Sequence, residues 1–437
     1  MRRQQTVIER NTNVKTLTPV DRAIRALVLT KLQKIRVGFI IIEDADGSYA
    51  CGHPDADLQA QIRVEDPRFY RLAALGGDVA VADAYLDGAW TCPDLVSFFR
   101  IIIRNTTFLE RTASGSARLG DLVSRLVHAL HRNTRSGSRK NIAAHYDLGN
   151  DLFETFLDDT MMYSCAIYPT ENSTLEEASH HKNDRICSKL DLSPSDHLLE
   201  IGTGWGGFAI HAATNYGCRV TTTTISKEQY RLAQDRIAAV GLENRITVLL
   251  EDYRDLTGVY DKLVSIEMIE AVGHQYYDDY FETCSRLLKP DGLMLLQAIT
   301  ISDWAFERHK RSVDFIKSHI FPGSCIPSVT AISDSLASVT DMRLVHLEDI
   351  GPHYVRTLQE WRSRFTKARA RISEMGYDER FIRGWHYYLT YCEAGFEERY
   401  ISDAHLLLAK PLNRPAPVLP GIRDASERRP IEAALTA

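Results

Sequence analysis

From about residue 141 the chain alternates short apolar runs with longer amphipathic stretches. The runs at 197–202, 219–224, 246–250, 262–267 and 293–299 have the length and β-branched content of strands. Helical periodicity fills the intervals, beginning with a helix at 173–190. Strands that alternate with helices in this way predict an α/β domain built on a mostly parallel sheet. Two long helical segments, about 354–375 and 378–397, follow a loop around Phe321-Pro322-Gly323. In the first of them Tyr354, Leu358, Trp361 and Phe365 recur at helical spacing, which predicts a packed core face.

Residues 1–140 carry a different pattern. A helix-like stretch at 21–35 precedes strand-like runs at 37–43 and 61–65. A helical stretch with several small residues follows, containing Leu75-Gly76-Gly77 and Asp83-Ala84-Tyr85-Leu86-Asp87-Gly88-Ala89-Trp90. The division predicts an N-terminal α+β domain at 1–140 and an α/β domain at 141–412. The remainder, 413–437, is rich in proline and charge and reads as a flexible tail.

One run carries the chemistry. In Leu198-Leu199-Glu200-Ile201-Gly202-Thr203-Gly204-Trp205-Gly206-Gly207 an apolar strand ends on an acid, a glycine turn follows, and a helix opens at once. Glycines admit a ligand close to the backbone, and the first turn of a helix offers unpaired N–H groups. That combination predicts a nucleotide-type site at the tip of the first sheet strand. Glu200 just ahead of the glycines is badly placed for a pyrophosphate and well placed for an ammonium group. S-adenosylmethionine, with an ammonium, a carboxylate and a sulfonium but no phosphate, is therefore favoured over a dinucleotide. The acid usually found at the end of the second strand is missing. Thr221-Thr222-Thr223-Thr224-Ile225-Ser226 stands there, so hydroxyls and Gln229 take that role. After the third strand, Glu251-Asp252-Tyr253-Arg254 is either a polar strand end or an acid and an aromatic ring in reach of an adenine.

Composition narrows the picture. A chain of 437 residues holds two or three domains, and 44% hydrophobic with 25% charged residues is ordinary for a globular protein. The net charge of −6 implies no general attraction to nucleic acid. No apolar run approaches the roughly 18–20 residues of a membrane span. The start, Met1-Arg2-Arg3-Gln4-Gln5, leads into no apolar core of signal type. Eight cysteines without a C-x-x-C pair fit reduced thiols in a cytoplasm. His128, His131 and the pair His180-His181 lack acids or cysteines at ligand spacing, so no metal is expected.

Charge shows one regularity. Arg104, Arg111, Arg118, Arg125, Arg132 and Arg139 recur every seven residues. On a continuous helix that repeat drifts only about 20° per step, so the arginines share a broad face. It reads either as a solvated face or hinge beside residues 133–138, or as a basic surface docking on anionic lipid headgroups. In the second case each charge contributes about 1 kcal/mol.

Six stretches together resemble the cyclopropane-fatty-acyl-phospholipid synthase family, including the mycolic acid cyclopropane synthase-like methyltransferases. They are His145-Tyr146-Asp147-Leu148, Met162-Tyr163-Ser164-Cys165-Ala166, the glycine run, Ser265-Ile266-Glu267-Met268-Ile269-Glu270-Ala271-Val272-Gly273, Ile320-Phe321-Pro322-Gly323 and His353-Tyr354-Val355-Arg356-Thr357-Leu358. Their order and spacing match over most of residues 140–410.

The resemblance implies a class I methyltransferase, Rossmann-like with a mostly parallel sheet, behind an N-terminal lipid-binding domain. It implies a cofactor pocket lined by Tyr146, Tyr163, Ser164, Glu200, Gly202, Gly204, Thr224, Ile225, Gln229, Asp252 and Tyr253. It implies a bound bicarbonate surrounded by Cys165, Glu270, Ile299 and Tyr354, with Cys392 near the site. Two positions depart from the family pattern. Ala271 stands where the family has a histidine, and Gln297-Ala298-Ile299 stands for His-Thr-Ile. An amide thus replaces a histidine that would contact bicarbonate, and Gln297 is expected to orient the anion by donating an N–H.

The implied reaction is transfer of a methylene group from S-adenosylmethionine to cis double bonds of phospholipid acyl chains. An alkene takes the methyl group, a carbocation forms, and bicarbonate removes a proton so that a cyclopropane closes. The alternatives are a methyl- or methylene-branched acyl product, a small-amine N-methyltransferase, and a lipid-binding protein without activity. The expected partners are membrane phospholipids with unsaturated chains and an anionic membrane surface, with no nucleic acid. The assembly considered is a homodimer. The expected location is cytoplasmic, on the inner face of the membrane.

Overall fold

The computed structural model describes residues 15–111 and 149–414 together with Val418. The N-terminal region holds a four-stranded sheet in the order β2-β1-β3-β4, made of β1 (Phe39–Asp44), β2 (Gly47–Gly52), β3 (Gln59–Val64) and β4 (Trp90–Thr91). β1 and β3 are parallel and the outer pairings antiparallel. Helices α1 (Pro19–Leu32), α2 (Arg68–Leu75), α3 (Gly77–Leu86) and α4 (Leu95–Arg111) accompany it. Thr18 opens α1 through a reciprocal capping box with Asp21, which satisfies two backbone donors at once. The hairpin strand β2 was absent from the sequence reading, because Ser48, Tyr49 and Ala50 carry no apolar alternation.

The second region begins with α5 (Asn150–Glu154) and α6 (Leu175–Lys189). It continues through β5 (His197–Ile201), α7 (Gly207–Tyr216), β6 (Arg219–Thr223), α8 (Lys227–Ala239), β7 (Ile246–Leu249), β8 (Tyr260–Ile266), α9 (Tyr277–Leu287) and β9 (Leu288–Ile301). It closes with α10 (Asp303–His309), α11 (Val329–Val339), β10 (Arg343–Asp349), α12 (Gly351–Lys367), α13 (Arg369–Glu374), α14 (Glu379–Glu397) and β11 (Ile401–Ala409). The seven strands run in the order β10-β11-β9-β8-β5-β6-β7. Five are parallel, while β11 pairs antiparallel with both β9 and β10. Strand order departs in opposite directions from the β5–β8 neighbours, so ligands belong at the strand tips there. The five parallel strands are those expected from the sequence. The antiparallel pair was missed because β10 is largely exposed and β11 opens on the polar Ser402 and Asp403.

A single apolar cluster joins the two regions. Phe98, Phe99 and Ile101 of α4 share it with Trp361, Phe365, Trp385 and Tyr387 of α12 and α14. Phe99 meets Tyr387 edge-on at 4.9 Å and Tyr391 at 5.3 Å. The heptad arginines begin in this contact. Arg100 and Arg104 each donate from Nε to the Glu398 carboxylate at 2.6 Å. Arg104 therefore pairs within the protein rather than with a lipid surface. Arg118, Arg125, Arg132 and Arg139 lie outside the described residues, as do Tyr146 and residues 419–437.

Candidate functional site

A cavity of about 1100 Å³ lies at the tips of β5, β6 and β8 and extends beneath the N-terminal helices. One end is the glycine turn. Gly204 takes φ +53°, and nothing stands within 4 Å of where a Cβ would be, so the turn leaves room for a ligand. Gly207 opens α7 so near Thr160 that a Cβ would fall 2.3 Å from its carbonyl oxygen. Glu200, on the last turn of β5 before these glycines, is 2% exposed. Its Oε2 has no hydrogen-bond partner among the described residues. Burial pushes this carboxyl up to about 8, against a hydrogen bond from Thr222 and the charge of Lys182.

A buried acid with an orphaned oxygen beside an open glycine turn fits a ligand that brings its own cation, as S-adenosylmethionine does. Ser164, Thr224, Ile225, Gln229, Asp252 and Tyr253 border the cavity. The Thr224 hydroxyl donates to Gln229 Oε1 at 2.8 Å and fixes that amide. Both Asp252 oxygens accept from the Arg254 guanidinium, at 2.8 and 2.6 Å. Tyr163 also borders the cavity, and its hydroxyl meets that of Tyr388 at 2.8 Å.

The groups expected around bicarbonate are arranged differently. Three of them donate to a carboxylate of the chain itself, that of Glu267. The Cys165 backbone N–H reaches Glu267 Oε1 at 2.7 Å and Gln297 Nε2 reaches the same oxygen at 2.8 Å. The Tyr354 hydroxyl donates to Glu267 Oε2 at 2.7 Å. The remaining two expected ligands pair with each other, as the Ile299 N–H donates to Glu270 Oε1 at 2.5 Å. The Cys165 thiol donates to the carbonyls of Ala166 and Ile350, and burial raises it far above the ordinary thiol range. Cys392 borders the cavity with its thiol raised by burial. The residues present therefore do not fit a separate anion: three of its expected donors are engaged by Glu267 and the Ile299 N–H by Glu270.

Glu267 sits at the tip of β8 with φ +48°, in the left-handed region that non-glycine residues avoid. That conformation costs about 1–2 kcal/mol. Hydrogen bonds to a charged group contribute about 1.5–3 kcal/mol each, so three donors outweigh the strain. The backbone is held as well, since the Glu267 N–H donates to the Gln297 carbonyl at 2.8 Å.

Behind Gln297 a relay fixes its amide. Lys189 ion-pairs with Glu348 at 2.6 Å and, being an ammonium, can only donate to His405 Nδ1 at 3.0 Å. His405 Nε2 then carries the hydrogen and donates to Gln297 Oε1 at 3.2 Å. This turns Gln297 Nε2 toward Glu267 and toward Asp403 Oδ2, which is 2.9 Å away. Burial, then the Glu267 charge, pushes Asp403 well above the ordinary carboxylate range, so Asp403 is the neutral partner of the pair. Lys182, wholly buried, donates to Ser164 Oγ at 3.1 Å, and its charge acts on both Glu200 and Glu267.

Glu267, Asp403, His405 and Lys182 were not singled out in the sequence. Glu267 had a legible signal, since it ends an apolar strand just as Glu200 does. Asp403 and His405 had none, because the strand carrying them was not recognised.

Comparison with known proteins places the chain in a family. The mycolic acid cyclopropane synthetase family profile matches residues 133–406. The chain is 38% identical over 343 residues to tuberculostearic acid methyltransferase UfaA1 of Mycobacterium tuberculosis, covering 74% of this chain and 77% of the relative. It is 39% identical over 345 residues to the cyclopropane-fatty-acyl-phospholipid synthase of Escherichia coli, covering 78% and 86%. The crystal structure of mycolic acid cyclopropane synthase CmaA1 complexed with SAH and CTAB superposes with a TM-score of 0.58 at 32% identity, covering 62% of this chain and 98% of that one. The chain belongs to the mycolic acid cyclopropane synthetase family and is an S-adenosylmethionine-dependent methyltransferase.

Proposed function

We propose that this enzyme transfers a one-carbon unit from S-adenosylmethionine to a cis double bond in a phospholipid acyl chain and closes a cyclopropane ring. The observation that carries the reading is the continuity of the cavity. It runs from the glycine turn to an apolar end lined by Val28, Leu32, Phe69, Phe98, Ile102 and Ile103 of the N-terminal region. A headgroup amine would need no such length of apolar wall.

Glu200 and the glycine turn would hold the amino-acid end of the cofactor, Thr224 and Gln229 its ribose, and Asp252 and Tyr253 its adenine end. When bound, the cofactor supplies an electrophilic methyl group. Tyr354, Tyr388 and Phe396 border the cavity, where ring faces favour a developing cation. The apolar wall excludes water, which would otherwise capture that cation.

The same reading makes the enzyme a peripheral protein on the inner face of a membrane, with its N-terminal domain receiving acyl chains. Among the described residues no helix is long and apolar enough to cross a membrane. A branched product is the second reading, favoured by the resemblance to a relative named as a methyltransferase. Mass spectrometry of membrane lipids from cells with and without the protein tests the proposal. Unsaturated acyl chains should gain the mass of one CH2 and become inert to mild hydrogenation at that position. Unchanged acyl chains would reject the reading.

A further inference from the structure

We infer that Glu267 is the enzyme's built-in proton acceptor, standing where an external anion would otherwise be needed, with Asp403 as the buried acid beside it. This rests on the one-carbon-transfer reading above and adds the identity of the base. Of the side chains bordering this part of the cavity, Glu267 and Glu270 are the carboxylates. They differ in what holds their charge. Glu270 receives one backbone N–H, and burial followed by the Glu267 charge raises it to about 8. Glu267 receives three donors; burial raises it as well, against hydrogen bonds from Asp403, Tyr354 and the Cys165 N–H and the charge of Lys182. With three donors against one, Glu267 is the better held of the two as a carboxylate. The other polar groups do not serve as bases. Gln297 has no proton-accepting nitrogen, and the Tyr354 hydroxyl is spent as a donor to Glu267.

The two Glu267 oxygens are not equivalent. Oε1 accepts from the Cys165 N–H and from Gln297, whereas Oε2 accepts from the Tyr354 hydroxyl. Oε2 therefore keeps a lone pair for a proton. In the step assigned here a C–H bond of the transferred carbon breaks, and its electron pair forms the second carbon–carbon bond of the ring. The proton forms an O–H bond on Glu267 Oε2, converting carboxylate to acid. No oxidant or reductant enters. The Asp403 carboxyl, already neutral, takes up no proton in this step. The left-handed backbone at Glu267 is consistent with this use, since strained residues persist where surrounding contacts over-determine them.

The test uses the whole enzyme in buffer stripped of carbonate, with unsaturated phospholipid vesicles. Wild type should turn over at the same rate with and without added bicarbonate. Glu267→Gln should lose on the order of 10²-fold or more in turnover, with S-adenosylhomocysteine affinity unchanged. Glu267→Gly relaxes the backbone and vacates the carboxylate's place. It should be inactive alone, regain turnover with added bicarbonate or formate, and bind bicarbonate in calorimetry where wild type does not. Wild-type turnover that falls on carbonate removal, saturable bicarbonate binding by wild type, or near-normal turnover in Glu267→Gln would each overturn the assignment. A wild-type enzyme that moves no carbon to acyl chains would reject the function proposed above instead, and the bicarbonate-binding comparison would still decide the base.

Discussion

The Tyr354 hydroxyl donates to Glu267 Oε2 across 2.7 Å and joins helix α12 to the tip of strand β8 at the cavity wall. That oxygen is the one proposed above to take the proton. Tyr354→Phe keeps the ring, which stacks on Phe396 at 4.3 Å, and removes only that O–H. Turnover should fall on the order of 10²-fold, while S-adenosylhomocysteine affinity stays unchanged. Steady-state kinetics beside calorimetry separates the two, and unaltered turnover would refute the role.

The cofactor end is tested at Glu200 and Gly204. A valine at Gly204 would have to adopt φ +53° and would project into open ligand space. Gly204→Val should abolish measurable S-adenosylhomocysteine binding. Glu200→Gln keeps the shape and removes the charge, and should weaken binding by about tenfold or more, the scale of one buried charge-assisted hydrogen bond. Equal affinity in all three proteins would place the cofactor elsewhere.

Glu270 makes a pH-dependent prediction. Its folded-state value lies near 8 against an ordinary 4.5, so between those values the folded protein holds a proton that the unfolded chain has lost. Stability from this group therefore falls as pH rises through that window. Glu270→Gln retains an acceptor for the Ile299 N–H and cannot ionise. Its Tm should match wild type near pH 4.5 and exceed it increasingly toward pH 8. Thermal melts at stepped pH check this, and a constant difference would contradict it.

Most of the parallel sheet and the glycine turn at the tip of β5 were legible in the sequence, because both are local. The run from Leu198 to Gly207 puts strand, acid, turn and helix N-terminus within ten residues, and the structure assembles them as the pattern implies. The catalytic end was less legible because it is built across the fold. Gln297 is aligned by His405, its direct partner on the antiparallel strand β11, and His405 by Lys189 on helix α6. No spacing in the chain announces that relay. Glu267 was visible as a strand-tip acid, yet its left-handed backbone and its three donors arise only when β8, α12 and the Cys165 segment meet.

The apolar end of the cavity predicts chain-length control. Ile102 on α4 borders it. Ile102→Trp should shorten the accessible tunnel, lowering kcat/KM for long acyl chains by about tenfold or more while sparing short ones, because overpacking a wall costs about 1–3 kcal/mol. A uniform loss across chain lengths would mean that acyl chains do not reach this end.

The most direct measurement follows the transferred carbon itself. The purified enzyme is given S-adenosylmethionine labelled in its methyl group and vesicles of an unsaturated phosphatidylethanolamine, and the product is read by NMR and mass spectrometry. The label should appear as a ring methylene bridging the former double bond, with the headgroup amine unmodified. Label on the amine nitrogen, or no label in the lipid, would contradict the account.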